Sequence, residues 1–275
     1  MADAPPPAPP GARDWSDAYA NMAHIPGSDA LPARWEAAAR AFRDGARVEE
    51  GIAYGDAPRE RLDLVRPEGT PRGLAVFVHG GYWMRTGRET WTHLARGAVA
   101  RGWAVALPSY TLAPEARIGA MVAQVARAVD RAAGLVAGPV RLAGHSAGGH
   151  LVARLACADV ALASAGRVER VLSISGLHDL RPLLWTDMNA TLRLDEAEAG
   201  AQSPALLRPR AGARVTAWVG GAERPEFLRQ ARALAVMWPG LGATVEAVVD
   251  GEHDHFSVLD GLEEADAPIT EAWVG

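Results

Sequence analysis

The sequence predicts an α/β domain built on a mostly parallel sheet with helices on both faces. Three observations carry this. Short apolar runs alternate with segments of helical apolar spacing along most of the 275 residues. Several runs, such as Leu74-Ala75-Val76-Phe77-Val78, are continuously apolar, as strands buried on both faces are. The length suits one large domain of roughly 250 residues, with 49% hydrophobic and 22% charged residues.

Residues 1–12 are rich in Pro and Ala and read as a disordered tail, leaving 13–275 as a single domain. In Ala30–Phe42, apolar residues recur at Leu31, Trp35, Ala38, Ala39 and Phe42, the spacing of a helix that covers something. Strands are expected at Arg61–Val65, Leu74–Val78, Trp103–Leu107, Val140–Ala143, Val171–Ser175, Val215–Val219 and Thr244–Val249. Helices are expected near Trp91–Arg101, Ala116–Gly134, Gly148–Ala158 and Phe227–Met237. Residues 177–210 are too long for a simple crossover. They read as small helices over the strand ends, a partial cap together with residues 13–45.

Composition removes several chemistries. All 28 basic residues are Arg, so a lysine Schiff base and a P-loop lysine are both excluded. The single Cys157 excludes an internal disulfide, a CxxC pair and a cysteine-rich zinc site. A net charge of −5 and a pI near 5.9 give no footprint for nucleic acid. No apolar run nears the ~20 residues of a membrane span, and the start has no signal-peptide pattern, so the default compartment is the cytoplasm.

Ligands of such sheets sit at the carboxyl ends of the strands. There, after the strand Val140–Ala143 and before a helix, Gly144-His145-Ser146-Ala147-Gly148 matches G-x-S-x-G. Small flanking residues allow a sharp strand-to-helix reversal that leaves the serine oxygen exposed. After the strand Leu74–Val78 comes His79-Gly80-Gly81-Tyr82-Trp83, where two glycines let the backbone approach a substrate. The N–H groups of Gly81, Tyr82 and Ala147 are the candidate oxyanion donors. His79 reads as a loop-shaping residue. Tyr82 and Trp83 suit either a pocket wall or the core.

In enzymes that carry this elbow, the acid follows the serine and the histidine follows the acid. Beyond the elbow and its helix stand only His178, His253 and His255. His255 is the expected base, on a loop after the last strand, with His253 as the alternative. The acid is expected after Val215–Val219, where Glu223 lies on the loop. Glu226, just behind Pro225, suits the first turn of a helix. Asp250, Glu252 and Asp254 are fallback acids. No ligand spacing for a metal is present, and no cofactor is expected.

The chain resembles the α/β-hydrolases, and among them the kynurenine formamidase-like esterases. The resemblance rests on His79–Trp83, on Gly144–Gly148 with His150-Leu151, on Pro225–Gln230, on His255-Phe256 and on Asp17–Asn21. It implies an α/β-hydrolase fold with Ser146 as nucleophile, Glu223 as acid and His255 as base, hydrolysing an ester or an N-formyl amide. The family pattern usually has Asp where this chain has Glu223. Trp83, Leu183, Leu184 and Trp185 are expected to wall the substrate pocket. The expected partner is a small-molecule ester or amide; a homodimer is compatible with the sequence. The competing reading is a non-catalytic binding protein on the same scaffold.

Overall fold

The computed structural model describes residues 13–275; the expected tail at 1–12 lies outside them. In chain order the elements are α1 (Trp15–Ala18), α2 (Leu31–Gly45), β1 (Arg47–Ala53), β2 (Arg61–Arg66), β3 (Leu74–Val78), α3 (Arg96–Ala100), β4 (Ala104–Pro108), α4 (Ile118–Ala133), β5 (Val140–His145), α5 (Ala147–Leu155), β6 (Val168–Ile174), α6 (Asn189–Leu192), α7 (Glu196–Ala201), β7 (Arg214–Gly220), α8 (Pro225–Met237), β8 (Thr244–Asp250) and α9 (Pro268–Val274). The strands form one sheet in the order β1-β2-β4-β3-β5-β6-β7-β8. β1–β2 and β2–β4 pair antiparallel, and every other pair is parallel.

All seven expected strands form. β1 does not announce itself in the sequence: Glu49, Glu50 and Gly51 break any apolar alternation, and as an edge strand it is largely exposed. The helix expected over Trp91–Arg101 divides into a 3₁₀ turn (Thr92–Ala95) and the short α3. The 177–210 stretch does form small helices, α6 and α7, flanked by 3₁₀ turns at Arg181–Trp185 and Pro204–Leu206.

Because successive strand side chains point to opposite faces, the sheet divides its apolar residues between two cores. Leu74, Val76 and Val78 of β3 join the core under α4, α5 and α8, while Ala75 and Phe77 join the one under α3 and α9. The chain runs from β3 to β4 in one direction and then returns to place β5 on the other side of β3. The loops leaving β3 and β5 therefore diverge at a topological switch point, where this architecture opens a crevice. Among the described residues no helix is long and apolar enough to cross a membrane.

Candidate active site

Ser146 sits at this crevice, between the last residue of β5 and the first of α5, with φ 55° and ψ −115°. A non-glycine residue held in so sparsely populated a backbone conformation costs on the order of 1–3 kcal/mol. Its neighbours explain how the turn holds. A Cβ on Gly144 would lie 2.3 Å from the Gly148 carbonyl oxygen, and one on Gly148 would lie 2.0 Å from that of Val78. Only glycine permits this approach of turn, helix and β3. The Ser146 N–H is held by the Ile174 carbonyl at 2.8 Å.

Ala147 opens α5, so its N–H is among the first four of the helix that have no intrahelical acceptor. The other candidate donors lie on the loop after β3. Gly81, Tyr82 and Trp83 all have positive φ, and the Met84 and Arg85 N–H groups both donate to the Gly81 carbonyl at 2.9 Å. The Gly81 and Tyr82 N–H groups are left without a hydrogen bond among the described residues. Thr86 braces the loop by donating to the Gly80 carbonyl at 3.1 Å, and Trp91 Nε1 donates to Thr86 at 3.3 Å. His79 does shape this loop. It is buried, stacks on Tyr110 at 4.5 Å and bonds the Gly80 carbonyl through Nδ1, and burial lowers its pKa to about 4.

The loops after β7 and β8 bring a second pair together. His255 Nδ1 donates to Glu223 Oε2 at 2.6 Å, and both side chains are buried. Glu223 Oε1 accepts from Ser175 Oγ at 2.6 Å and from the Gly220 N–H at 2.8 Å. With Nδ1 protonated by this contact, Nε2 is the basic nitrogen of the neutral ring. His253 is exposed, and its ring bonds the Ser257 hydroxyl at 3.4 Å. His145, the variable residue before the serine, is buried against His255 with ring centroids 4.6 Å apart. Its Nε2–H donates to the His255 carbonyl at 2.8 Å. Burial, and then the neighbouring His255, holds His145 well below the usual histidine range, so it is neutral. Nothing in the sequence distinguishes this residue, because the motif leaves its position free.

Ser146, His145, His255, Gly81 and Tyr82 all line one cavity of about 380 Å³. Its walls correct one expectation. Trp83, Leu183, Leu184 and Trp185 do not line it. Trp83 is 1% exposed and packs edge-on against His150 at 5.2 Å. Leu183 and Leu184 enter the core, and Trp185 stacks on Trp15 at 6.4 Å. Large apolar side chains beside a site gain more from a closed core than from an open wall. The aromatic wall is instead Trp35 of α2, Trp91 and Phe256, with Trp35 centred 4.7 Å from Trp91 and 5.0 Å from Phe256. What the helix expected at Ala30–Phe42 covers is therefore the site itself.

The profile of the α/β-hydrolase fold matches residues 75–257. The chain belongs to the α/β-hydrolase family. It is a hydrolase, and curated relatives span most of its length. The kynurenine formamidase of Salmo salar is 30% identical over 257 residues, 84% of this chain and 85% of that protein. That of Danio rerio is 29% identical, over 80% and 78%. Among solved structures, a "putative thioesterase" from Silicibacter sp. TM1040 superposes with a TM-score of 0.91. It is 45% identical, covering 96% of this chain and 100% of that one. Esterase B from Lactobacillus rhamnosis shares the fold at 17% identity and a TM-score of 0.69, covering 93% and 92%.

Outside the cavity, the hydrolase carries a buried polar cluster that sequence reasoning under-read. Glu226, expected as an ordinary first-turn acid of α8, is fully buried. Oε1 accepts from Tyr19 Oη at 2.9 Å, Gln230 Nε2 at 2.9 Å and Arg229 at 2.7 Å. Burial, and then the Glu226 charge, raises the Tyr19 pKa well above its ordinary value, so the phenol stays protonated and donates. The segment so anchored supplies Met22 to the cavity wall, and its Tyr19 carbonyl accepts from Tyr82 Oη at 3.0 Å.

Proposed function

We propose that this hydrolase cleaves small carboxylic esters or N-formyl aryl amides through an acyl-enzyme. The observation that carries the reading is the 2.6 Å contact of His255 Nδ1 with Glu223, made beside the cavity that holds Ser146. Ser146 Oγ attacks the substrate carbonyl while His255 Nε2 takes its proton. The same nitrogen then protonates the leaving alcohol or amine. Glu223 fixes the tautomer of His255 and stabilises its charged form. The Gly81, Tyr82 and Ala147 N–H groups receive the oxyanion, where loss of one donor typically costs about 10²–10³ in rate. Water, activated by His255, releases the acid and frees Ser146.

The choice of substrates has two supports. Trp35, Trp91 and Phe256 present flat apolar faces suited to an aryl or short acyl group. The fish relatives carry the name kynurenine formamidase over most of the chain. We read residues 13–45 and 177–210 as one partial cap on a single domain, because the two pieces touch: Trp15 stacks on Trp185, and the Asp187 N–H donates to Ser16 Oγ at 2.9 Å. Labelling with a fluorophosphonate, followed by a panel of p-nitrophenyl esters of rising length against N-formylkynurenine, tests the assignment. Ser146 should be labelled, and Ser146→Ala should abolish turnover. An unlabelled Ser146 with hydrolysis no faster than background for parent and variant alike would refute it and favour a non-catalytic binding role.

A further inference from the structure

We infer that Ser175 is a positioning residue of the hydrolytic site, holding the Glu223 carboxylate so that its other oxygen meets His255. The inference rests on the role proposed above for Glu223. Ser175 follows the last residue of β6 and is fully buried. Its backbone N–H is already satisfied without the side chain, because it donates to the Trp218 carbonyl at 2.6 Å. Its φ is 50°, a conformation in which glycine would be the cheaper residue. Ser175 therefore keeps a side chain where the backbone disfavours one. The described hydrogen bond of that side chain is Oγ to Glu223 Oε1, at 2.6 Å.

The geometry around Glu223 explains what this contact does. A glutamate has one more rotatable bond than an aspartate, so its carboxylate is less fixed by its backbone. Here Oε1 is held twice, by Ser175 at the end of β6 and by the Gly220 N–H at the end of β7. Oε2 is then left to face His255, on the loop after β8. Three neighbouring strand ends thus define the plane of one carboxylate. The Gly220 N–H alone would let the group pivot about Oε1. The hydroxyl removes that freedom, and no water competes with it at a fully buried residue.

The test uses Ser175→Gly, which removes the hydroxyl while relaxing the backbone, with Ser175→Ala as the second variant. Each is read by kcat and KM on p-nitrophenyl acetate, by thermal melting, and by the downfield proton resonance of the His255 Nδ1–H bond. For Ser175→Gly we expect kcat to fall about ten- to a hundred-fold, as for loss of one hydrogen bond to a charged group. KM should hold within two-fold, the melting temperature should not drop, and the resonance should move upfield or vanish. A kcat within two-fold of the parent would overturn the inference, as would a kcat loss with an unmoved resonance. The resonance reports His255 and Glu223 in the resting protein. A parent enzyme inactive on every ester and on N-formylkynurenine would therefore sink the proposed function while leaving this contact separately measurable.

Discussion

Glu223→Gln replaces one carboxylate oxygen by an amino group, and the surroundings of Glu223 decide which one. The Gly220 N–H, 2.8 Å from Oε1, can only donate, so it keeps the amide oxygen at that position. The new NH₂ then occupies the Oε2 position, 2.6 Å from His255 Nδ1. Two donors cannot face each other. Nδ1 must give up its proton and accept, which moves the ring proton to Nε2, where the proposed mechanism needs a free lone pair. The Ser175 hydroxyl can still donate to the amide oxygen, so the fold has little reason to change. The same tautomer trap in a serine protease costs about 10⁴ in kcat, close to 5.4 kcal/mol of barrier. We expect that magnitude here for p-nitrophenyl acetate hydrolysis at pH 8, with KM and the melting temperature near those of the parent. Labelling by a fluorophosphonate should slow in proportion. A variant retaining more than a tenth of parental kcat would refute the reasoning about Glu223 and return attention to Asp250, Glu252 and Asp254.

Four further outcomes can be checked. Gly148→Ala would place a Cβ 2.0 Å from the Val78 carbonyl oxygen, and should cost about 3 kcal/mol or more in chemical denaturation, with loss of activity. Tyr19→Phe removes a donor from fully buried Glu226 and should destabilise by about 1–3 kcal/mol in the same assay. His79 and His178 both have pKa values lowered by burial to about 4. Since the unfolded chain takes up those protons near pH 6.5, their contribution is complete above that pH and is lost as pH falls toward 4. At pH 5 each should cost about 2 kcal/mol, seen as a falling denaturation midpoint. Burial pushes the Cys157 thiol up to about 11, so the native protein should resist iodoacetamide at pH 8 and react only when unfolded.

What the sequence reveals here follows the physics of each signal. Strands buried on both faces, such as β3 and β4, are continuous apolar runs and are read almost to the residue. β1, an exposed edge with two glutamates and a glycine, carries no such signal. The serine turn is legible because its glycines fall together in one short motif between strand and helix, although Gly148 is demanded by the distant Val78 carbonyl. The histidine and acid are legible as types on loops, since chain order restricts them. The pocket wall is not legible, because it joins residues far apart in sequence: Trp35, Trp91 and Phe256 meet only once the chain has folded. A place in the expected cap over the strand ends points to Leu183 and Trp185 instead, and packing takes both away. Ser175 was unreadable for the same reason: its meaning depends on a carboxylate 48 residues later.

The contact between Tyr19 and Glu226 spans 207 positions of the chain. On a ribosome adding 5–20 residues per second, Glu226 is made roughly 10–40 s after Tyr19. Through that interval the segment that will supply Met22 to the cavity has no α8 to dock on, and the Ser146 turn is complete long before His255 exists. The site proposed above thus stays incomplete until the last loops of the chain are made. On the proposed mechanism a nascent chain carries a serine without its base, and reactivity waits for the C-terminal loop that brings His255.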